Sequence, residues 1–451
     1  MADDIRKVYV FGHLHPDTDS IGAAIGYAYL KNQIDKPIYQ ACRTARINLE
    51  TAFALKHFGF DEPPLIETAA PQIADAQVQT VDGIAEKTTI SEALALMKKQ
   101  DLTLLAVVDK DKTLLGAISR RTLADVMLTR IADGAEAADE LALNDAVSSV
   151  MIAADKLTTV SVANKVADAK KTLEDAADDM LVVVDRDGKY HGLVNASDLE
   201  NVTKKRVILV DHNERTQAAD GIEEAEILEI IDHHRIGSIE TNSPAYFRNE
   251  PVGCTCTILY DMYNENNVKI PANIAGILLS AIMSDTLCFR SPTCTPRDVK
   301  AGRALAEICG EDLESYADSM FDAGADLTGR TAADIFGADF KIFERGDVRF
   351  GVGQASFMTE NSRKAAEELV GPYLKDGAAE NEIPAVFYLF TDIKSKTSEM
   401  LYWGKDADKI VEKAFGVAPV DDIATLVGVV SRKKQVAPNL MATLEEYVGQ
   451  K

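Results

Sequence analysis

The chain has 451 residues, 46% of them hydrophobic and 27% charged, and its formal net charge is −24. At ~100–200 residues per domain, this length predicts two to four domains. The negative charge disfavours nucleic acid as a partner, because a phosphate backbone would be repelled, but permits a small anionic substrate at a metal site. No apolar run reaches the ~18–20 residues that cross a bilayer, so no membrane partner is expected. The opening segment lacks a secretion signal and the six cysteines lack zinc-finger spacing, which predicts a cytoplasmic protein with free thiols.

The first predicted element is a buried strand at Val8–Phe11, followed by a polar loop and a helix that begins near Ser20. The loop contains one imidazole and two carboxylates, those of His13, Asp17 and Asp19. Close carboxylates repel each other unless a cation lies between them, and a mixed nitrogen and oxygen set favours Mn²⁺, Co²⁺, Zn²⁺ or Mg²⁺. The alternative is an acidic turn that caps the helix, and the loop alone does not separate the two interpretations.

A strand–turn–strand pattern occurs twice, at residues 104–123 and 181–199, and Gly116 aligns with Gly192 at a constant offset. Each copy follows a helical pattern, ISEALALMKKQ in the first and VADAKKTLEDAA in the second. The repeat predicts a duplicated module, and the alternative is two hairpins of one sheet that match by chance. The acidic link between the copies, ADGAEAADELA, is predicted to be exposed and helical.

A second α/β pattern begins at Val207, where the strand RVILV runs into Asp211. The strand of AEILEIIDHHR runs into an Asp-His-His motif at residues 232–234, and an apolar helical stretch at residues 274–284 precedes Asp285. Polar groups that follow apolar elements are expected at one edge of an open α/β sheet, where such folds place their chemistry. Together with the first loop they provide enough ligands for two metal ions ~3.5–4 Å apart, which would activate a water without any Ser or Cys. Taken singly, the histidine pair could be a surface turn and Asp285 the end of a helix.

The sequence changes character after Met320, where AGADLTGR predicts a hinge or loop. The strands VRFGVGQAS and IPAVFYLFTDI and the helix SRKAAEELVGPYLK then predict a separate C-terminal α/β domain. Its basic run SRKKQ, at residues 431–435, is either a solvated surface turn or a clamp for phosphate oxygens. Lys341 is a weaker candidate for the same clamp, and by pattern alone it is a lysine of an amphipathic helix.

These motifs resemble those of the DHH phosphoesterase superfamily: HLHPDTDS at residues 13–20, Asp211, the Asp-His-His motif and Asp285. Within that superfamily, SRKKQ resembles the C-terminal signature of family II inorganic pyrophosphatases, whereas the Gly-Gly-x-His motif of the nuclease branch is not found. The repeat resembles a pair of CBS domains, which identifies the chain as similar to CBS-domain-containing pyrophosphatases. The short link between the copies leaves no room for the DRTGG domain of some members.

The resemblance implies an α/β fold in three parts, and it covers residues 1–66 and 203–451 outside the repeat. A parallel-sheet DHH domain is expected at residues 1–66 and 203–325. The α+β CBS pair is expected as an insert at residues 67–202, with copies at about 67–130 and 145–202. The α/β DHHA2 domain, which binds substrate in this family, is expected at residues 326–451.

The resemblance also implies roles for single residues. Two ions, Mn²⁺ or Co²⁺, would share Asp211 as a bridging ligand, and a further Mg²⁺ would arrive with the substrate. The implied ligands are His13, Asp17 and Asp211 for one ion, and Asp19, Asp211, His233 and Asp285 for the other. The implied phosphate-binding residues are His234, Lys341, Arg432 and Lys433.

In the CBS pair, the resemblance implies binding of AMP, ADP or ATP as regulators of catalysis. The second copy has Asp198 at the position where an acid holds a ribose in the family, and the first copy has Thr122 there. The two nucleotide sites are therefore not expected to be equivalent. Further candidate contacts in the corresponding loops are Asn195, Tyr190 and Arg120.

The leading hypothesis is thus hydrolysis of pyrophosphate to two phosphates, dependent on metal and regulated by adenine nucleotide, in a homodimer. One alternative is a phosphodiesterase that acts on short oligonucleotides or cyclic dinucleotides. Another is a nucleotide-sensing protein that has lost catalysis, although the intact set of six ligands argues against this. Phosphate release from pyrophosphate separates these hypotheses.

Overall fold

The computed structural model describes residues 6–134, 143–325, 327–346 and 348–449. Residues 135–142, which make up most of the predicted helical link between the repeats, lie outside the described residues. Within the described ranges, no helix combines the length and the apolar character needed to cross a membrane.

The N-terminal part of the chain, before the repeats, forms two successive strand–helix units, of which the second is shorter. Its elements are β1 Val8–Phe11, α1 Thr18–Ile34, β2 Tyr39–Ala41 and α2 Leu49–His57. The strand predicted at Val8–Phe11 is confirmed. Helix α1 begins two residues before the predicted Ser20, because the Asp17 carboxylate accepts a hydrogen bond from the Ser20 amide and so caps the helix.

The inserted segment contains the two repeats. Its elements are α3 Ile90–Gln100, β3 Leu104–Val108, β4 Leu114–Ser119, α4 Arg120–Ala132, β5 Ile152–Ala153, β6 Thr159–Ser161, α5 Val166–Asp175, β7 Met180–Val184, β8 Tyr190–Asn195 and α6 Ala196–Glu200. Helix α3 coincides with the predicted segment, and a capping box between Thr89 and Glu92 fixes its start.

The chain then returns to the first sheet. The elements of this part are β9 Arg206–Val210, β10 Glu226–Asp232, β11 Tyr246–Asn249, α7 Thr255–Glu265, α8 Ala272–Asp285, α9 Pro296–Cys309 and α10 Leu313–Gly324. Helix α8 is buried along nearly its whole length, as its continuous apolar sequence predicts. Asp285 is the last residue of this helix rather than a loop residue beyond it.

The C-terminal part forms a mixed sheet with helices on both faces. Its elements are α11 Ala332–Ala338, β12 Phe340–Arg345, β13 Val348–Phe357, α12 Glu360–Val370, α13 Leu374–Glu380, β14 Ala385–Asp392, β15 Thr397–Gly404, α14 Ala407–Phe415, β16 Ile423–Val427 and α15 Ala437–Gly449. The helical pattern predicted around Lys341 is wrong, because Lys341 lies on β12 and points away from the core beside the partly buried Phe340. Strand pairing thus overrides the local helical pattern.

The first sheet is entirely parallel and has the order β11-β10-β9-β1-β2. From β1 the chain continues to β2 on one side, and from β9 it continues to β10 and β11 on the other. The order therefore reverses between the neighbouring strands β1 and β9, which is where doubly wound sheets bind their ligands. Alternate residues of β1 point to opposite faces, so that Val8 and Val10 pack under α1, α7 and α8 while Phe11 faces the other layer.

The repeats form two small sheets, β3-β4-β5 and β6-β7-β8. The segment that precedes each repeat pairs with a strand of the other repeat. Gln79, ahead of the first copy, bridges Leu193 of the second, and β5, ahead of the second copy, pairs with β4 of the first. Gly116 and Gly192 lie at these two crossings. The predicted duplicated module is therefore an interlocked pair, inserted between α2 and β9.

Candidate metal centre

The carboxyl ends of β1, β9 and β10 bring the predicted ligands to one edge of the parallel sheet. His13 follows β1, Asp211 follows β9 directly and His233 follows β10 directly. Because β1 and β9 are adjacent at the reversal of strand order, their following loops meet above a shared crevice. The strand register therefore gathers residues that are about two hundred positions apart in the sequence.

Asp211 lies at the middle of the cluster. Its Oδ2 is 3.5 Å from Nε2 of His13, and its Oδ1 is 3.5 Å from Nε2 of His233. Its backbone has a φ of 62°, a left-handed conformation that is uncommon outside glycine and that turns the side chain into the crevice. Burial and the neighbouring Asp19 carboxylate raise the pKa of Asp211 to about 7. One carboxylate thus faces two histidines through different oxygens, as a bridging ligand would.

On one side of Asp211, His13 Nε2 also lies 3.3 Å from Oδ2 of Asp17. Burial opposes protonation of His13, yet the adjacent carboxylates of Asp17 and Asp211 raise its pKa. The hydroxyl of Ser20 donates to Asp211 Oδ2 at 2.8 Å and so holds the shared oxygen in place. His13, Asp17 and Asp211 place one donor atom each within 4.8 Å of one another.

On the other side lie Asp19, His233 and Asp285, which meet the same 4.8 Å criterion. Asp19 is fully buried and accepts hydrogen bonds from the amides of Thr255 at 2.7 Å and Cys256 at 3.1 Å. These amides form the N-terminus of α7, whose partial positive charge stabilises a carboxylate. Burial, followed by repulsion from the Asp19 carboxylate, raises the pKa of Asp285.

His233 is oriented for ligation. Its Nδ1 lies 3.0 Å from the carbonyl oxygen of Val252 and donates a hydrogen bond to it. In that tautomer the lone pair on Nε2 is available to bind a metal ion. That Nε2 is buried, has no hydrogen-bond partner among the described residues, and lies 3.8 Å from Oδ2 of Asp285. A buried imidazole nitrogen without a partner, among three carboxylates, fits a divalent cation of intermediate hardness.

His234, the third residue of the Asp-His-His motif, is held differently. The fully buried Asp232 accepts a hydrogen bond from His234 Nδ1 at 2.9 Å and from the amides of His233 and His234. Asn213 also donates to Asp232, which fixes the carboxylate. Despite partial burial, this bond raises the pKa of His234. His234 is about half exposed and lies at the mouth of the cluster.

The predicted phosphate-binding cations of the C-terminal domain differ in burial and in partners. Arg432 is buried at the start of a short π-helical turn and pairs with the Asp339 carboxylate at 2.7 Å. Lys433 and Lys341 are exposed. Among the hydrogen bonds and ion pairs of the described ranges, none joins these three cations to the metal-ligand cluster.

The four candidate nucleotide contacts are not assembled into one network either. Asp198 accepts from the Asn195 amide at 2.9 Å in a capping box and from Gln79 at 2.7 Å. Tyr190 is buried, and its hydroxyl has no hydrogen-bond partner among the described residues. Arg120 is half exposed and lies 3.5 Å from Asp101.

The sequence did not reveal the residues that surround the ligands. Ser20 and Thr255 donate to the two oxygens of Asp211, and the Val252 carbonyl orients His233. Glu50 is half-buried near Asp17, and its carboxylate accepts a hydrogen bond from the Thr18 hydroxyl. Val252 and Thr255 lie in the segment EPVGCTCT, residues 250–257, which leads into α7 and has no periodic pattern that marks these contacts.

The parallel sheet, its ligand-lined edge and the mixed C-terminal sheet define a DHH-type phosphohydrolase with a DHHA2 domain. The DHH family, N-terminal domain, matches residues 7–282, and the DHHA2 domain matches residues 318–443. The cobalt-dependent inorganic pyrophosphatase of Clostridium perfringens is 31% identical over 98% of this chain and 99% of the relative. The chain therefore belongs to the DHH family and, within it, to the family II inorganic pyrophosphatases.

Two further comparisons concern parts of the chain. The manganese-dependent inorganic pyrophosphatase of Bacillus subtilis is 47% identical over 53% of this chain and 77% of that relative. A solved structure of CBSX2 in complex with AMP matches 29% of this chain and 93% of that chain, at 21% identity and a TM-score of 0.24. The Clostridium alignment extends over 545 positions, more than the 451 residues here, so that relative contains segments that this chain lacks.

Proposed function

We propose that this chain hydrolyses pyrophosphate to two phosphates at a centre of two transition-metal ions bridged by Asp211. The position of Asp211 carries the proposal, because its two oxygens face His13 and His233 at 3.5 Å each. The proposed ligands are His13, Asp17 and Asp211 for one ion, and Asp19, Asp211, His233 and Asp285 for the other. Relatives named as cobalt- and manganese-dependent support Co²⁺ or Mn²⁺.

When bound, two such ions would stabilise charge on the phosphate oxygens and supply an activated water. The residues of this chain hold the site ready for that chemistry. Asp211 and Asp19 are fixed by hydrogen bonds from Ser20, Thr255 and Cys256, so little reorganisation is needed during the reaction. His234, with its raised pKa and its exposed edge, is suited to bind or protonate a phosphate oxygen at the mouth of the site.

Arg432, Lys433 and Lys341 are proposed to bind the substrate phosphates, with a further Mg²⁺ accompanying the substrate. Lys341 and Lys433 are exposed, and the buried Arg432 pairs with Asp339. A guanidinium can exchange one carboxylate for a phosphate because both accept its two-pronged hydrogen bonds.

The test is phosphate release from pyrophosphate by the metal-stripped chain after addition of Mn²⁺, Co²⁺ or Mg²⁺. Wild type should release phosphate with Mn²⁺ or Co²⁺, and Asp211→Asn should abolish release because the shared ligand loses its charge. An active Asp211→Asn variant would refute the bridging assignment. Turnover of short oligonucleotides or cyclic dinucleotides, with none of pyrophosphate, would establish the phosphodiesterase alternative.

We further propose that adenine nucleotides bind the inserted pair and regulate catalysis. Support comes from the interlocked repeats, from Asp198 at the ribose position and from the unpartnered buried hydroxyl of Tyr190. AMP, ADP and ATP should each be titrated against phosphate release by the full chain. Removal of residues 67–202 should leave activity that AMP does not change, and persistent AMP sensitivity would refute this assignment.

A cytoplasmic homodimer is the proposed assembly. Strand β11 forms one edge of the parallel sheet, and its side chains Tyr246 and Phe247 are 49% and 42% exposed. An aromatic edge strand offers both backbone hydrogen bonds and apolar surface to a second copy. Sedimentation of wild type beside Phe247→Lys tests it, and an unchanged dimer in the variant would exclude this edge as the interface.

We propose that the chain is divided into three domains. The DHH domain comprises residues 1–66 and 203–325, the CBS pair residues 67–202 and the DHHA2 domain residues 326–451. The strand orders support this division, because each proposed domain contains its own sheets. Limited proteolysis that cuts first near residues 66, 202 or 326 would agree with these boundaries.

A further inference from the structure

Asp298, near the start of α9, is a fully buried carboxylate whose hydrogen bonds within the described ranges go to Gly253, Thr257 and Thr295, none of them a proposed metal ligand. Its Oδ2 accepts from the amide of Thr295 at 2.6 Å and from its hydroxyl at 2.7 Å, which caps α9. It also accepts from the Gly253 amide at 2.9 Å and from the Thr257 hydroxyl at 2.6 Å. A helix cap needs only the Thr295 bonds, so the Gly253 and Thr257 bonds require another explanation.

Gly253 and Thr257 belong to the segment that leads into α7 and surrounds the metal centre. Within it, the Val252 carbonyl fixes the tautomer of His233. The amides of Thr255 and Cys256 hold Asp19. The Thr255 hydroxyl donates to Asp211 Oδ1 at 3.1 Å. Asp298 therefore holds this segment by hydrogen bonds at Gly253 and Thr257. Other polar groups of the same segment contact the proposed ligands Asp19, Asp211 and His233.

We infer that Asp298 is a positioning residue for the metal centre, acting through residues 252–257. Its hydrogen bonds to Gly253 and Thr257 hold this segment, so that the α7 N-terminus stays directed at Asp19 and the Val252 carbonyl at His233. The inference rests on the proposed two-metal function. It adds a control on metal affinity that lies outside the set of ligands.

Charge and geometry explain why aspartate is required at this position. Every hydrogen bond of Asp298 among the described residues comes from a donor, so both of its oxygens accept. In Asp298→Asn, the amide group would face donors at Gly253 and Thr257 or at Thr295. The segment would then shift or lose its anchor, because a buried donor facing a donor is unfavourable.

The experiment measures Mn²⁺ binding to the full, metal-stripped chain by competition with a chelator, independently of activity. Asp298→Asn should weaken Mn²⁺ binding by ~10–100-fold, the usual effect of removing an outer partner of a metal ligand. At saturating Mn²⁺ the rate of phosphate release should return to within a few-fold of wild type. Thr257→Val, which removes only the 2.6 Å hydroxyl bond, should weaken binding less and in the same direction.

Asp312→Asn is the matched control, because Asp312 caps α10 through the Ser315 amide and makes no contact with residues 252–257. It should bind Mn²⁺ as wild type does. Wild-type affinity in Asp298→Asn, even with a lower unfolding temperature, would assign Asp298 a purely structural role and overturn the inference. If Asp298→Asn does not fold, Thr257→Val decides in the same way. A wild type that binds no Mn²⁺ would instead overturn the proposed function itself.

Discussion

At the scale of single residues, the proposed metal centre contains several groups whose pKa values are shifted from their usual range. Burial and the Asp19 carboxylate raise the pKa of Asp211 to about 7, and the nearby Asp211 raises that of His233 to about 9 although burial opposes it. Both shifts favour the protonated forms of these two side chains. Such perturbation is expected where a protein has assembled ligands that are stable together only around positive charge.

Mn²⁺ affinity should increase with pH through about 7, because metal must displace the protons that Asp211 and His233 hold below their raised pKa values. Calorimetric titrations at pH 6, 7 and 8, in buffers of different ionisation enthalpy, measure both the affinity and the protons released. Affinity that stays constant over this range, with no proton release, would contradict the proposed ligand set.

Glu50→Ala should destabilise the metal-free protein by about 1–3 kcal/mol. The half-buried Glu50 carboxylate accepts hydrogen bonds from the hydroxyls of Thr18 at 2.7 Å and Ser284 at 2.5 Å, and both hydroxyls would lose this acceptor. Urea unfolding measures the loss. Glu360→Ala, which removes an exposed carboxylate paired with Lys364, should leave the unfolding midpoint unchanged. Equal midpoints for the two variants would show that the Glu50 contacts contribute no stability.

At the scale of elements, the two repeats depend on close approach of backbones. A Cβ at Gly116 would lie 2.3 Å from the Ile152 carbonyl oxygen, and one at Gly192 would lie 2.5 Å from that of Gln79. These are the two points at which the leading segment of one repeat crosses the hairpin of the other. The glycines that align in the sequence are thus required by the interlocked pairing, which only the structure shows.

Gly116→Ala should lower the thermal stability of the inserted pair, because the Ile152 backbone must move away from β4. Differential scanning calorimetry of the full chain would follow the transition of the insert. Gly337→Ala is the control, since that position in α11 has no heavy atom within 4 Å of the added methyl and alanine favours a helix. A Gly116→Ala protein as stable as Gly337→Ala would contradict the close approach.

At the scale of the whole molecule, ion pairs attach the insert to the parallel sheet. Lys165, which precedes α5 of the second repeat, pairs with Asp220 at 2.6 Å. Lys205, which precedes β9, pairs with Asp75 at 3.0 Å. The turn before Asp220 accepts a hydrogen bond at Gln217 from the amide next to His13. A physical connection therefore runs from the insert to the first ligand loop.

Lys165→Met should reduce the effect of saturating AMP on phosphate release towards no effect, while AMP still binds. The variant breaks the Lys165–Asp220 pair and leaves the candidate nucleotide contacts and the proposed metal ligands unsubstituted. Lys171→Met, an exposed lysine of the same helix, is the control and should retain the wild-type response. A full response to AMP in Lys165→Met would show that this pair does not couple the insert to the catalytic part.

The sequence by itself determined much of the fold and the identity of the candidate ligands. The strand at Val8–Phe11, the helix at Ile90–Gln100 and the duplicated module were predictable, because hydrophobic periodicity and repetition are local properties. The placement of polar groups after apolar elements also predicted a cluster at one sheet edge. The helix predicted around Lys341 is wrong, because that segment forms strand β12, which is stabilised by pairing with β13 and not by its own local sequence pattern.

Only the tertiary structure decided how the cluster is built. The reversal of strand order between β1 and β9 sets His13 beside Asp211, and the start of α7 meets Asp19 across 236 positions of sequence. The anchoring of that segment by Asp298 and the two-sided position of Asp211 also follow from packing. Hydrogen bonds between such distant residues leave no periodic pattern in the sequence, because they depend on how the helices and strands pack against one another.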